Sequence, residues 1–156
     1  MFGFMKRKTR EVFSPVDGQV VEIENVDDEV FSTKMVGDGV AVIPMSDTFC
    51  APIDGTISKI FSTNHAYSVR NDKDLEVMVH IGLETVALKG EGFERLANEG
   101  DMVKAGDPVI RADLAYIREH AKDIVTPVII SEESDVKEIE KQFKAVKCGD
   151  MIMEVK

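Results

Sequence analysis

From Glu11 onward the chain is dense in valine and isoleucine, and glycine, proline and aspartate interrupt it every few residues. That rhythm leaves no room for long helices and describes many short strands, so an all-β fold is expected. The candidate strands are Gln19 to Ile23, Gly39 to Pro44, Gly55 to Ile60, Ala66 to Arg70, Glu76 to Ile81, Thr85 to Leu88, Pro108 to Ala112, Val125 to Ile130 and Met151 to Val155. Helix signals are few. Gly92 to Ala97 allows about a turn, and Asp113 is placed to cap a helix from Leu114 to about Lys122 by accepting from its first free amides.

Ser14-Pro15-Val16-Asp17-Gly18 returns as Ala51-Pro52-Ile53-Asp54-Gly55, each copy running into an apolar strand. Proline fixes φ early in the turn and glycine tolerates positive φ at its end, so each copy builds a tight reversal, and together they suggest a duplicated architecture. A second pair, Val36 to Val40 and Lys104 to Val109, shares the Gly-Asp turn chemistry of sandwich proteins that carry biotinyl or lipoyl groups. The carrier function itself is not expected, because no Met-Lys or Asp-Lys hairpin tip lies between the halves. The one Asp-Lys, Asp72-Lys73, falls in a charged loop.

At 156 residues one domain is the natural prior, with a short flexible segment at 1–10 and a globular body over 11–156. A 44% hydrophobic and 31% charged composition suits an ordinary globule. No apolar stretch approaches the roughly 20 residues that a transmembrane helix needs. The first ten residues carry four cations but lack the order of a signal peptide, so a cytoplasmic protein is expected. A net charge of −10 argues against nucleic acid as a partner and for a basic protein partner. Cys50 and Cys148 are too few for a disulfide framework and read as plain structural thiols.

Only three histidines occur. His120 would ride the predicted helix as a solvated residue. His80 lies in the apolar run Val77-Met78-Val79-His80-Ile81-Gly82, and His65 follows Phe61-Ser62-Thr63-Asn64, fifteen positions earlier. Imidazole can serve near neutral pH as nucleophile, proton carrier or metal ligand. A histidine in an apolar strand is more often a hydrogen-bonded core residue, and one in a loop is more often unremarkable surface. Zinc normally takes at least three protein ligands, and neither histidine is followed at motif spacing by a third, so no metal is expected.

With Val30-Phe31-Ser32-Thr33-Lys34-Met35-Val36-Gly37-Asp38-Gly39, Lys59-Ile60-Phe61-Ser62-Thr63-Asn64-His65-Ala66, Val79-His80-Ile81-Gly82 and Leu88-Lys89-Gly90-Glu91-Gly92-Phe93, the chain resembles the glucose-type enzyme IIA family of the bacterial phosphoenolpyruvate-dependent sugar phosphotransferase system. The resemblance runs from about Val12 to the C-terminus and includes the fifteen-residue histidine spacing. It implies an antiparallel β-sandwich with a duplicated hybrid, barrel-sandwich motif and one or two short helices. It also implies a phosphoryl relay without cofactor: the phosphocarrier HPr donates to His80, and His80 passes the group to a cysteine of an EIIB domain of a glucose-family permease. His65 then matches the position that donates a hydrogen bond to the phosphoryl group, and Thr63 the one that orients His65. Gly82 would leave the backbone beside the nucleophile open to a partner.

Val30, Phe31, Val36, Phe61, Met78 and Val86 match positions on the docking face, with Phe31 and Phe61 the strongest candidates and Val36 the weakest. Asp28 and Glu84 match acidic positions able to steer a basic donor. The alternative for each is ordinary core packing or solvated charge. Glu84, Ala87 and Met78 stand where many or some members have Asp, Glu and Phe, and the N-terminal segment is shorter than in members with an amphipathic anchor. A monomer is expected. A regulatory module, whose phosphorylation state controls transporters or kinases through the same face, is compatible with this reading. A lysostaphin-type zinc endopeptidase is disfavoured, since Met78 and Gly82 leave His80 without a His-x-His pair.

Overall fold

A computed structural model of the chain describes residues 10–71 and 75–156. The strands are β1 (Arg10–Phe13), β2 (Gly18–Glu22), β3 (Gly39–Pro44), β4 (Thr48–Cys50), β5 (Gly55–Ile60), β6 (Ala66–Arg70), β7 (Glu76–His80), β8 (Phe93–Arg95), β9 (Met102–Val103), β10 (Pro108–Ala112), β11 (Thr126–Ile130), β12 (Ile139–Lys141), β13 (Ala145–Val146) and β14 (Met151–Val155). Two short helices, α1 (Glu29–Ser32) and α2 (Leu114–His120), complete the fold with 3₁₀ turns at Ile23–Asn25 and Thr85–Leu88. Arg10 belongs to β1, opposite Val155. Residues 1–9 and the Asp72-Lys73 loop lie outside the described residues.

An eight-stranded sheet, ordered β13-β2-β3-β11-β7-β6-β5-β9, is the backbone of the molecule, and two three-stranded sheets, β1-β14-β12 and β4-β10-β8, accompany it. Every pairing is antiparallel. Side chains alternate across a strand, so one strand serves two environments. Val40, Val42, Val77, Val79, Val128 and Ile130 enter the main core with Val12, Phe49, Ile110 and Ile152. Their neighbours Ala41 and Ile129 join a second cluster with Ile23, Val26, Phe31, Leu83 and Val125, against which Met78 packs. The second cluster therefore covers the sheet's other face, the face that carries Met78 and, two residues on, His80.

The Ser14–Gly18 echo proves to be structural. Ser14 N–H donates to Asp150 C=O (2.7 Å) and Gly149 N–H to Ser14 C=O (3.0 Å), and in the other half Ala51 N–H donates to Asp107 C=O (2.9 Å) and Gly106 N–H to Ala51 C=O (2.9 Å). Asp17 accepts from Cys148 N–H (2.7 Å) as Asp54 accepts from Ala105 N–H (2.8 Å). The turn Lys104-Ala105-Gly106-Asp107 thus has its counterpart in Lys147-Cys148-Gly149-Asp150, each closed by its aspartate on the amide of its lysine. The sequence pairing with Val36–Val40 is corrected accordingly: Gly37 instead lies against the Ile130 carbonyl.

Two expected elements change type. Thr85–Leu88 is a 3₁₀ turn rather than a strand, because Glu84 (φ 58°) and Lys89 (φ 56°) are left-handed at its two ends and Thr85 Oγ1 turns back to donate to Ile81 C=O at 2.7 Å. Phe93–Arg95 is strand β8 rather than a helical turn, since β10 offers a free edge that pairs Ala112 with Phe93 and Ile110 with Arg95. Helix α2 is capped by Asp113 as expected, its carboxylate accepting from Tyr116 N–H at 3.1 Å. It stops at His120 because the chain must extend at once, so that Asp123 C=O can meet Leu83 N–H at 2.9 Å.

Candidate functional site

β6 and β7 are antiparallel neighbours in which Ala66 stands opposite His80. This register sets His65 immediately before β6, beside the end of β7, and Ile81 N–H seals the pair by donating to His65 C=O at 2.8 Å. The two imidazole rings meet edge to face, with centroids 5.0 Å apart and planes at 78°. Phe31 closes one side, its ring centroid 5.0 Å from that of His80, and Phe61 the other, 5.4 Å from that of His65.

Each ring is tethered through Nδ1. His80 Nδ1 lies 2.7 Å from Gly82 C=O, and since a carbonyl only accepts, Nδ1 holds the proton and Nε2 keeps a free lone pair. His65 Nδ1 lies 2.5 Å from Thr63 Oγ1, an atom that can donate or accept. When the Thr63 hydroxyl donates, His65 carries its proton on Nε2 and becomes a donor there. The two tethers are complementary: one presents a lone pair, and the other is able to present an N–H.

Burial favours the neutral form of both rings. Desolvation, assisted by the neighbouring His80, lowers the pKa of His65 to about 4. Desolvation also lowers that of His80, opposed by its bond to Gly82 and by the charge of Asp28. A neutral imidazole with a free nitrogen is a competent nucleophile near pH 7.

Gly82 is buried and has φ 76°, and an added Cβ would stand 2.8 Å from Asp123 O and 2.7 Å from Thr85 Cγ2. Its glycine character answers to this close approach, rather than to an open backbone beside the nucleophile. Asp28 caps α1, accepting from Val30 N–H at 2.9 Å, and so holds the helix that delivers Phe31. Glu84 is exposed and pairs with Lys122 at 3.8 Å, which also reaches Asp27 at 3.7 Å.

The apolar candidates separate by exposure. Phe31 is 5% exposed and belongs to the second core cluster, so it is a wall of the His80 pocket. Phe61 and Met78 are half-buried, while Val30, Val86 (57% exposed) and Val36 (37%) stand free on the surface. Val36, ranked lowest from the sequence, is more accessible than Phe31.

Sequence reading missed Asn64 and Arg95. Asn64 sits in the left-handed region (φ 61°) between Thr63 and His65, and its Oδ1 accepts from Arg95 Nε (3.0 Å) and Nη2 (2.8 Å). Asparagine before a histidine hints at a left-handed turn, but nothing in the sequence announces a partner thirty-one positions away. Among the described residues no group of three histidine, cysteine, aspartate or glutamate side chains could hold a metal ion, and no helix is long and apolar enough to cross a membrane.

Residues 10–136 match the family described as phosphoenolpyruvate-dependent sugar phosphotransferase system, EIIA 1. The chain is 47% identical over 142 residues to the PTS system glucose-specific EIIA component of Buchnera aphidicola subsp. Baizongia pistaciae, covering 91% of this chain and 84% of the relative. It is 46% identical over 155 residues to the component of the same name from Haemophilus influenzae, covering 98% and 93%. Its fold superimposes on glucose permease IIA from Mycoplasma capricolum with a TM-score of 0.91 at 34% identity, covering 95% of this chain and 96% of that one. The match spans both histidine segments and the strands that carry them, and on it the chain belongs to the EIIA 1 family of the phosphoenolpyruvate-dependent sugar phosphotransferase system, as a phosphotransferase component of that relay.

Proposed function

We propose that His80 Nε2 accepts the phosphoryl group from phospho-HPr and yields it to the cysteine of an EIIB domain serving a glucose-family permease. The observation that carries this reading is the Nδ1 tether of His80 to the Gly82 carbonyl, which commits the proton to one nitrogen and leaves the other as nucleophile. Phosphoryl transfer asks a protein chiefly for positioning and for stabilisation of charge on the equatorial oxygens. His65, held by Thr63 with its ring 5.0 Å from that of His80, is the donor available for those oxygens. A phosphoramidate on imidazole retains high transfer potential, so it can be passed on.

Exposed Val30, Val36 and Val86 supply an apolar docking surface, and Asp27, Asp28, Glu29 and Glu84 give it an acidic border suited to a basic donor. The same surface favours a regulatory use, because a doubly negative group arriving at an apolar face changes which partners it accepts. Reconstitution with radiolabelled phosphoenolpyruvate, enzyme I and HPr tests the relay. Label should enter this chain as an acid-labile adduct and chase onto an EIIB domain. A chain that stays unlabelled while HPr is fully phosphorylated would refute the proposal.

A further inference from the structure

The two halves of the duplicated fold bring the only two cysteines together. Cys50 ends β4 and is buried, and Cys148 is half-buried in the turn Lys147–Asp150. The segment Ser14–Asp17 holds both: Pro15 C=O accepts from Cys50 N–H at 2.7 Å, and Asp17 Oδ1 accepts from Cys148 N–H at 2.7 Å. The Cys148 thiol reaches Gly106 C=O at 4.0 Å, and Gly106 N–H is bonded to Ala51, the residue after Cys50. At this juncture each thiol perturbs the ionisation of the other, raising the pKa of Cys50 and lowering that of Cys148. Cys148 occupies the place that Ala105 holds in the other half, so the thiol pair is a feature of this turn and not of the repeat.

We propose that Cys50 and Cys148 form an oxidation site, at which a peroxide converts the dithiol into an intramolecular disulfide and a small thiol reductant reverses it. Cys148 is the attacking sulfur because it is the more exposed of the two, and the neighbouring Cys50 favours its thiolate, whereas the neighbouring Cys148 and then burial raise the pKa of Cys50. In the first step Cys148 Sγ bonds to a peroxide oxygen and the O–O bond breaks. The departing hydroxide takes the thiol proton as water and leaves a sulfenic acid. In the second step Cys50 Sγ attacks Cys148 Sγ, the S–S bond forms, and the S–O bond breaks. The hydroxyl leaves with the Cys50 proton as a second water, so two thiols lose two electrons and one peroxide becomes two waters. Asp17, Asp107 and Asp150 surround the pair and oppose thiolate formation. The reaction therefore runs at the pace of an ordinary protein thiol, and the product is a sensor of sustained oxidation.

The cross-link would close a loop of about a hundred residues, which raises the melting temperature by roughly 10 °C when native geometry is kept. The test exposes the full-length native protein to hydrogen peroxide, then unfolds it in an alkylating agent for mass spectrometry. The expected product is a monomer about two mass units lighter, without free thiols, yielding one peptide that joins Cys50 to Cys148. Dithiothreitol should restore both the mass and the lower melting temperature. Cys148→Ser should abolish the cross-link and leave Cys50 fully alkylable after unfolding. Cys50→Ala should let dimedone trap Cys148 as a sulfenic acid. Two free thiols after prolonged oxidation would overturn the proposal, as would Cys148 carrying extra oxygen beside a free Cys50, or disulfide-linked dimers as the sole oxidised species.

Discussion

His65 and His80 are bound through the main chain as well as through space: Ile81 N–H donates to His65 C=O at 2.8 Å while the two rings stand edge to face with centroids 5.0 Å apart. The sheet register sets their separation, so the roles of the two residues can be tested without moving one when the other is changed.

Replacing His80 by alanine should abolish acid-labile phosphorylation by phospho-HPr. His65→Gln should still accept the group but pass it to an EIIB domain about 10²- to 10³-fold more slowly, the usual cost of one donor to a transition-state oxygen. Single-turnover labelling separates the steps. Equal loss of acceptance and delivery in His65→Gln would contradict the division of labour.

Thr63→Val removes the hydroxyl next to His65 Nδ1 and keeps the side chain's shape. His65 should then populate the tautomer with its proton on Nδ1, seen in the ring nitrogen shifts by NMR. Delivery of the phosphoryl group should slow about ten- to a hundredfold, with melting temperature nearly unchanged. An unaltered tautomer in the variant would show that Thr63 is not what orients the ring.

His65 links stability to pH. Its pKa falls to about 4 in the folded chain against about 6.5 when unfolded, so between these values the unfolded state binds the extra proton. Stability from this residue is fully present above the unfolded value and declines as pH falls towards the folded one. The ceiling is about 3 kcal/mol, from roughly 1.4 kcal/mol for each tenfold change. Urea unfolding at pH 7 and pH 5 of the native chain and of His65→Gln should show a steeper fall for the native chain. Parallel curves would exclude the linkage.

Gly82→Ala should destabilise the chain by about 2 to 4 kcal/mol, because φ 76° and the Asp123 carbonyl 2.8 Å from the new Cβ both oppose it. It should also disturb His80, whose Nδ1 depends on the Gly82 carbonyl. Denaturant unfolding together with the His80 ring shifts would register both effects. A stable variant with native shifts would mean the turn relaxes freely.

Much of the frame was legible in residue order. Strands β3, β5, β6, β10 and β14 have the expected bounds because each is an apolar run between turn formers, and the Asp113 cap is a local interaction within one turn. Short edge pieces such as β4, β8 and β9 were not legible, since they exist only because a neighbour offers hydrogen bonds. Thr85–Leu88 misled because β-branched residues favour strands, and two left-handed residues outweighed that preference.

The sequence by itself determined an all-β chain and the echoed turns, because these are properties of residue type and local spacing, while Thr63, His65 and His80, on which the proposed chemistry rests, were singled out by the resemblance of their segments to a family. Tertiary structure alone decided that Phe31 is a wall and Val36 a surface, that Arg95 fastens Asn64, and that Cys50 meets Cys148. Each of these depends on which strands become neighbours and in what register, and that is set by the packing of the whole sheet rather than by any segment of it.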